Sequence, residues 1–129
     1  MVEKRLINAQ RQRIVPGSYS WVDHRLMRGG FLQELSIEEI GLYFFLILVG
    51  DNRGLSYYGD KTVCKSLSIP YEALYQARIE LMRCDLIAYA PPLYQVLELP
   101  EGPVKQYTPS RHGTAALGEI LHTLAHKGE

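Results

Sequence analysis

The chain has 129 residues, and its 14 Lys/Arg balance 14 Asp/Glu to a formal net charge of zero. That length suits one domain with appendages and a core that needs no metal or disulfide framework. With 47% hydrophobic and 22% charged residues the composition excludes a disordered or fibrous chain. The longest apolar run, Leu42 to Val49, is far short of the roughly 20 residues that span a bilayer.

The N-terminus is polar and basic, so no signal peptide is read there. Cys64 and Cys84 each fall in a helical pattern and lack a CxxC partner, which reads as reduced thiols in a cytoplasmic protein. The balanced total conceals an uneven distribution. Lys4, Arg5, Arg11, Arg13, Arg25 and Arg28 face only Glu3 and Asp23 in residues 1–30, whereas residues 31–60 hold Arg53 against Glu34, Glu38, Glu39, Asp51 and Asp60. A dedicated DNA-binding domain usually carries a basic excess, because phosphate neutralisation supplies much of its affinity; here only the N-terminal arm has one.

Residues 1–18 end in a Pro16-Gly17 turn signal. Lys4, Arg5, Arg11 and Arg13 form either an arm that follows a phosphate backbone or a solvated tail. Tyr19-Ser20-Trp21-Val22 alternates and reads as a short strand or an extended clamp, with Trp21, the single tryptophan, as a core anchor. Asp23 is placed to cap a helical turn over His24 to Arg28 that Gly29-Gly30 stops.

Ser36-Ile37-Glu38-Glu39 is a capping box, and the helix it opens, Ile37 to about Gly50, is apolar nearly all the way round. Such a helix is buried on most sides, with Tyr43, Phe44 and Phe45 in the packing and part of the surface open to a second chain. Asp51-Asn52-Arg53-Gly54 is a turn, Leu55 to Tyr58 a short β run, and Asp60 a cap for the next helix.

Val63 and Leu67, four apart, share a face of that helix. Ser68-Ile69-Pro70 breaks it, and proline opens another, in which Leu74, Ala77, Leu81 and Cys84 form an apolar stripe. Helix, short turn, helix is the spacing of a helix-turn-helix. Ile87 to Ala90 and Tyr94 to Leu99 read as strands paired in a hairpin. Pro92 at the third turn position requires either a cis Pro91–Pro92 bond or a wider loop. Pro100 to Ser110 is a linker. From Thr114 a helix of about thirteen residues carries Leu117, Ile120, Leu121 and Leu124. It is too short to stand alone, so its stripe must dock on the domain or pair with its copy.

The stretch Asp60 to Ile87 resembles the winged helix-turn-helix superfamily. Ser68 and Ile69 match the family's small turn residue and following apolar residue, and Leu74, Ala77 and Leu81 match its spaced apolar positions. Asp85-Leu86-Ile87 stands where its closing Gly-Leu-Ile does. Together with the apolar helix, the Asp-Asn-Arg-Gly turn and the short strand, residues 36–99 look like the winged-helix modules of phage and plasmid replication proteins, which have relatives in bacterial transcriptional regulators. The resemblance implies a mainly α fold with a small β-hairpin wing (α+β). Its parts are a basic arm (1–18), a winged helix-turn-helix domain (19–99), a Pro-rich linker (100–112) and an amphipathic helix (113–129). Dimerisation helices are common appendages in the family, which implies a homodimer through Leu117, Ile120, Leu121 and Leu124.

The resemblance also places double-stranded DNA against the start and outward face of the second motif helix, at Pro70, Tyr71, Glu72, Ala73, Tyr75 and Gln76. Gln76 can pair with adenine and Glu72 can accept from cytosine; Tyr71 and Tyr75 can bond phosphates; Lys61, Lys65, Arg78 and Arg83 can supply charge. The family's basic residue at the helix start is missing, the Ala90-Pro91-Pro92-Leu93 wing tip is uncharged, and Arg78 replaces an apolar residue. Tyr71, Tyr75, Ile79 and Met82 line a neighbouring face that is either a protein-binding surface or packed beneath the segment around Trp21.

Nothing points to catalysis. His122 and His126 have the spacing of two metal ligands, but Thr123 follows where a zinc protease needs glutamate, and no residue stands ready to orient the two imidazoles from behind. No phosphate-binding glycine loop or nucleophile elbow occurs. The expectation is a non-enzymatic DNA-binding module, regulatory or replication-associated, without metal, cofactor, membrane contact or small-molecule substrate. The alternative is a winged-helix module for protein association or dimerisation that does not bind DNA.

Overall fold

The computed structural model describes residues 3–104. Leu117, Ile120, Leu121 and Leu124, expected at a dimer contact, lie outside the described residues, as do His122 and His126. Among the described residues four α-helices, α1 (Arg25–Arg28), α2 (Ile37–Val49), α3 (Asp60–Leu67) and α4 (Tyr71–Arg83), combine with three short strands, β1 (Leu55–Tyr57), β2 (Ile87–Ala90) and β3 (Leu93–Val96). The strands form one antiparallel sheet in the order β1-β3-β2. The fold is therefore α+β, with α2 and α4 packed on each other and β3 against α2.

Local chemistry sets the ends of these elements. Ser36 Oγ accepts from the Glu39 amide at 3.2 Å while Glu39 Oε1 accepts from the Ser36 amide at 2.9 Å, so the capping box starts α2 as expected. At the foot of α1, Asp23 Oδ1 accepts from the Arg25 amide at 2.8 Å. Helix α3 ends at Ser68, which takes the left-handed conformation at φ 56°. Helix α4 ends in two reversed bonds, Leu86 N–H to Leu81 O and Asp85 N–H to Met82 O, both 3.0 Å, with Asp85 at φ 64°. That is the Schellman arrangement, with aspartate at a left-handed position it tolerates better than most side chains do. Asp60 does not cap α3: it is the helix's first residue, Gly59 precedes it, and its carboxylate is engaged elsewhere.

Strands β2 and β3 pair through Ala90↔Leu93 around a cis Pro91–Pro92 bond, the first of the two expected arrangements. Strand β3 stops at Val96 rather than Leu99, although Leu97 still donates to Leu86 O at 3.0 Å and Leu99 is buried. Tyr19 to Val22 forms no regular element and pairs with no strand.

The core is built from Leu42 and Leu46 of α2, Leu74 and Leu81 of α4, Val63, Leu86 and Tyr94, all essentially without solvent contact. Each such leucine contributes roughly 1.5–3 kcal/mol by leaving water. Two expectations about aromatic residues fail here. Trp21 is 88% exposed and Phe44 53% exposed, whereas Tyr43 and Phe45 are buried. Trp21 lies over clefts bordered by Ile47 and Val96, because the interior behind those residues is already filled by Leu42, Leu46 and Tyr94. Helix α2 is correspondingly buried along one side only, not most of the way round.

Burial pushes the Tyr43 phenol up to about 12, with Asp23 adding to it, and the Cys84 thiol up to about 11, with Glu80 adding to it. It also raises Tyr94. Both cysteines are free thiols, and a raised pKa makes Cys84 a poor nucleophile. These groups hold their protons more tightly folded than unfolded, so their contribution is complete below the unfolded pKa values and is lost as pH climbs through the folded ones. The free energy of unfolding, read from urea titrations, is expected to be level near neutrality and to fall between about pH 9 and 12, by on the order of 2 kcal/mol for each strongly shifted group. Tyr43→Phe should flatten part of that decline, and a midpoint unchanged to about pH 12 would contradict the assignment.

Candidate nucleic-acid interface

The candidate surface is made by α3, the three residues that follow it and the first half of α4. Because Leu74, Ala77 and Leu81 recur at steps of three and four, they turn one side of α4 into the core. The opposite side then faces outward. Tyr71 is 54% and Tyr75 44% exposed, and Glu72, Gln76 and Pro70 are exposed beside them, with Ala73 half-buried. The two tyrosine rings stack with centroids 6.2 Å apart and planes at 29°, side by side on the outward face. Met82 continues the strip and Ile79 is half-buried. This face does not pack beneath the Trp21 segment, which lies on the α2–β3 side.

Lys61 and Lys65, one turn apart on α3, are both exposed, and neither forms an ion pair among the described residues. Arg83 is held by Glu80 through a 2.7 Å contact, so its charge is locally balanced. Near this surface the uncompensated charges among the described residues are the two lysines, offset in part by Glu72. In the arm, Arg11 and Arg13 are exposed as well.

Arg78 is the residue that sequence reasoning misplaced. It is 5% exposed and therefore cannot touch DNA. Its Nη1 donates to Asp60 Oδ1 at 2.7 Å and to Tyr94 Oη at 2.8 Å, while its guanidinium carbon sits 4.4 Å from the centre of the Tyr89 ring. Tyr89 in turn lies 4.5 Å from the Tyr94 ring. Burial alone disfavours a charge there, but the bonds to Asp60 and Tyr94 outweigh it and hold the guanidinium charged more firmly than usual. The signal was available: an arginine interrupting an apolar stripe needs a buried partner, and a tyrosine alternating with Val96 needs one for its hydroxyl. Arg78 thus ties α4 to α3 through Asp60 and to β3 through Tyr94, and so sets how the tyrosine face is presented.

The hairpin tip is formed by Ala90, Pro91, Pro92 and Leu93, none of them charged, and the first three are exposed. No group of three or more metal-ligating side chains occurs among the described residues, and no helix among them is long and apolar enough to cross a membrane. Comparison with protein-family models, with curated proteins and with solved structures finds no match to this chain.

Proposed function

We propose that this chain is a winged-helix module that binds duplex DNA without catalysing a reaction, with α4 as the element that enters the major groove. One arrangement carries the reading: a helix pinned from behind by Arg78 presents Tyr71, Tyr75 and Gln76 outward, next to Lys61 and Lys65, which have no ion-pair partner among the described residues. In this role the lysines and tyrosine hydroxyls hold phosphates, and the Gln76 amide reads a base edge. A regulatory or replication-associated protein is the setting such a module fits.

The test is a titration of labelled duplex against the protein at rising salt. Two lysines, with help from the arm, give an expected log–log slope of about −2 to −4. Replacing both lysines with alanine should weaken binding to all sequences and make the slope shallower by about 1–2. Gln76→Ala should instead flatten preference at one base pair. A slope near zero, or no complex at roughly 50 mM salt, would rule out DNA as the ligand. A second reading, protein association through the same face, is favoured by the uncharged hairpin tip, by Glu72 among the contact residues, and by the exposed Tyr71, Tyr75 and Met82.

A further inference from the structure

Helix α2 has two apolar sides, and the fold uses one. Leu42, Tyr43, Phe45 and Leu46 are buried, while Ile37 (78% exposed), Phe44 (53%) and Leu48 (54%) remain in water on the opposite side. Their steps, taken with Gly41, are four, three and four residues, which places all four positions within one narrow stripe of the helix. Gly41 is itself unexplained by the fold. A Cβ built there would meet nothing within 4 Å, so no contact within the described residues requires glycine, the weakest helix former after proline.

We propose that this stripe is the interface with a second copy of the chain, α2 packing antiparallel on its symmetry mate about a two-fold axis. The stripe is complementary to its own reverse. Antiparallel pairing sets Ile37 against the partner's Leu48 and Phe44 against the partner's Gly41, so each phenylalanine ring settles into the space that the missing side chain leaves. An isologous contact of this kind closes on itself as a dimer.

The charges fit the same polarity. Exposed Glu38 lies at the start of α2 and exposed Arg53 in the turn after its end, and neither forms an ion pair among the described residues. The carboxylate of Asp51, beside Arg53, is occupied by the Arg53 and Leu55 amides. Antiparallel packing brings each Arg53 toward the partner's Glu38; parallel packing would gather the acids together. Three large side chains per copy make a small interface, under about 1,200 Å² in total, where weak and reversible association is the rule. Association through α2 is independent of DNA binding, since the tyrosine face belongs to a different helix.

Sedimentation equilibrium of the full chain from about 1 to 500 μM should show a monomer–dimer equilibrium with Kd in the micromolar range. Phe44→Lys and Gly41→Leu should each weaken it at least tenfold, the latter without lowering the unfolding temperature of the dilute protein. Arg53→Glu should weaken it, and Glu38→Arg combined with Arg53→Glu should restore it. A wild-type chain monomeric throughout the range would overturn the proposal. So would a dimer indifferent to Phe44→Lys but lost with Leu121→Glu, which would assign the contact to residues 113–129. A monomer whose folding, rather than association, suffers from Phe44→Lys would show the stripe covered by its own chain, and would overturn it equally.

Discussion

Replacing Arg78 with alanine is expected to lower the free energy of unfolding by about 3 kcal/mol. The change strips the buried Tyr94 hydroxyl of its donor, leaves Asp60 without its counter-charge, removes the cation from the Tyr89 face and opens space beside α4. Asp60 retains a third of its side-chain exposure and can turn to water, which keeps the loss at the lower end for a broken buried pair. Asp60→Asn keeps an acceptor but leaves the buried guanidinium without its counter-charge, and should cost about 2 kcal/mol. Lysine at 78 should recover less than half of the loss. An ammonium would have to replace a guanidinium whose Nη1 bonds both a carboxylate and a phenol while its planar group lies on the Tyr89 ring, a contact a lysine cannot reproduce. Urea denaturation of the two single variants and the double variant gives the coupling directly. If Arg78→Ala unfolds within about 0.5 kcal/mol of the parent, the pinning role assigned to Arg78 fails. Because the same residue orients α4, the proposed DNA-binding role adds an expectation: Arg78→Ala should lose part of any duplex affinity together with stability, and Lys61 or Lys65 variants should lose affinity alone.

The second large effect is expected at Gly54, where alanine should cost about 3 kcal/mol. Gly54 has φ +82° and closes the turn between α2 and β1. Its amide donates to Asp51 O and its carbonyl accepts from Val96 N–H, both at 2.9 Å. A Cβ there would stand 2.6 Å from the Val96 carbonyl oxygen, which belongs to the adjoining strand β3 and cannot swing aside as a side chain would. Two penalties therefore combine: a left-handed backbone that side chains disfavour by roughly 1–2 kcal/mol, and a backbone overlap. Asparagine separates them, since it tolerates the dihedral but not the overlap; Gly54→Asn should recover little. Gly59→Ala, at φ −75° with open space around the added carbon, is the matched control and should stay within about 0.5 kcal/mol of the parent. Equal thermal midpoints for the Gly54 and Gly59 variants would count against the close approach.

Features whose partners lie within a few residues were readable from the chain alone. The Ser36–Glu39 capping box, the stop at Gly29-Gly30, the break at Ser68 to Pro70, the Pro91-Pro92 turn and the inward stripe of α4 are all settled by bonds or periodicities that close over one or two turns of chain. The outward tyrosines followed from the same periodicity, because a helix that buries Leu74, Ala77 and Leu81 must present Tyr71 and Tyr75 elsewhere.

The remainder depended on how distant elements pack. Arg78 changed from a surface charge to a buried tie because its partners, Asp60 and Tyr94, stand 18 and 16 positions away in sequence. Trp21 stayed in water because leucines and a tyrosine from other elements had already occupied the interior. Helix α2 is apolar nearly all round, so its composition carries no signal of which side meets the core. That side was chosen by where α4 and β3 pack, and the stripe through Ile37, Phe44 and Leu48 is what their packing leaves over. Burial is a property of assembled surfaces, and a residue's own pattern can state only what it would accept.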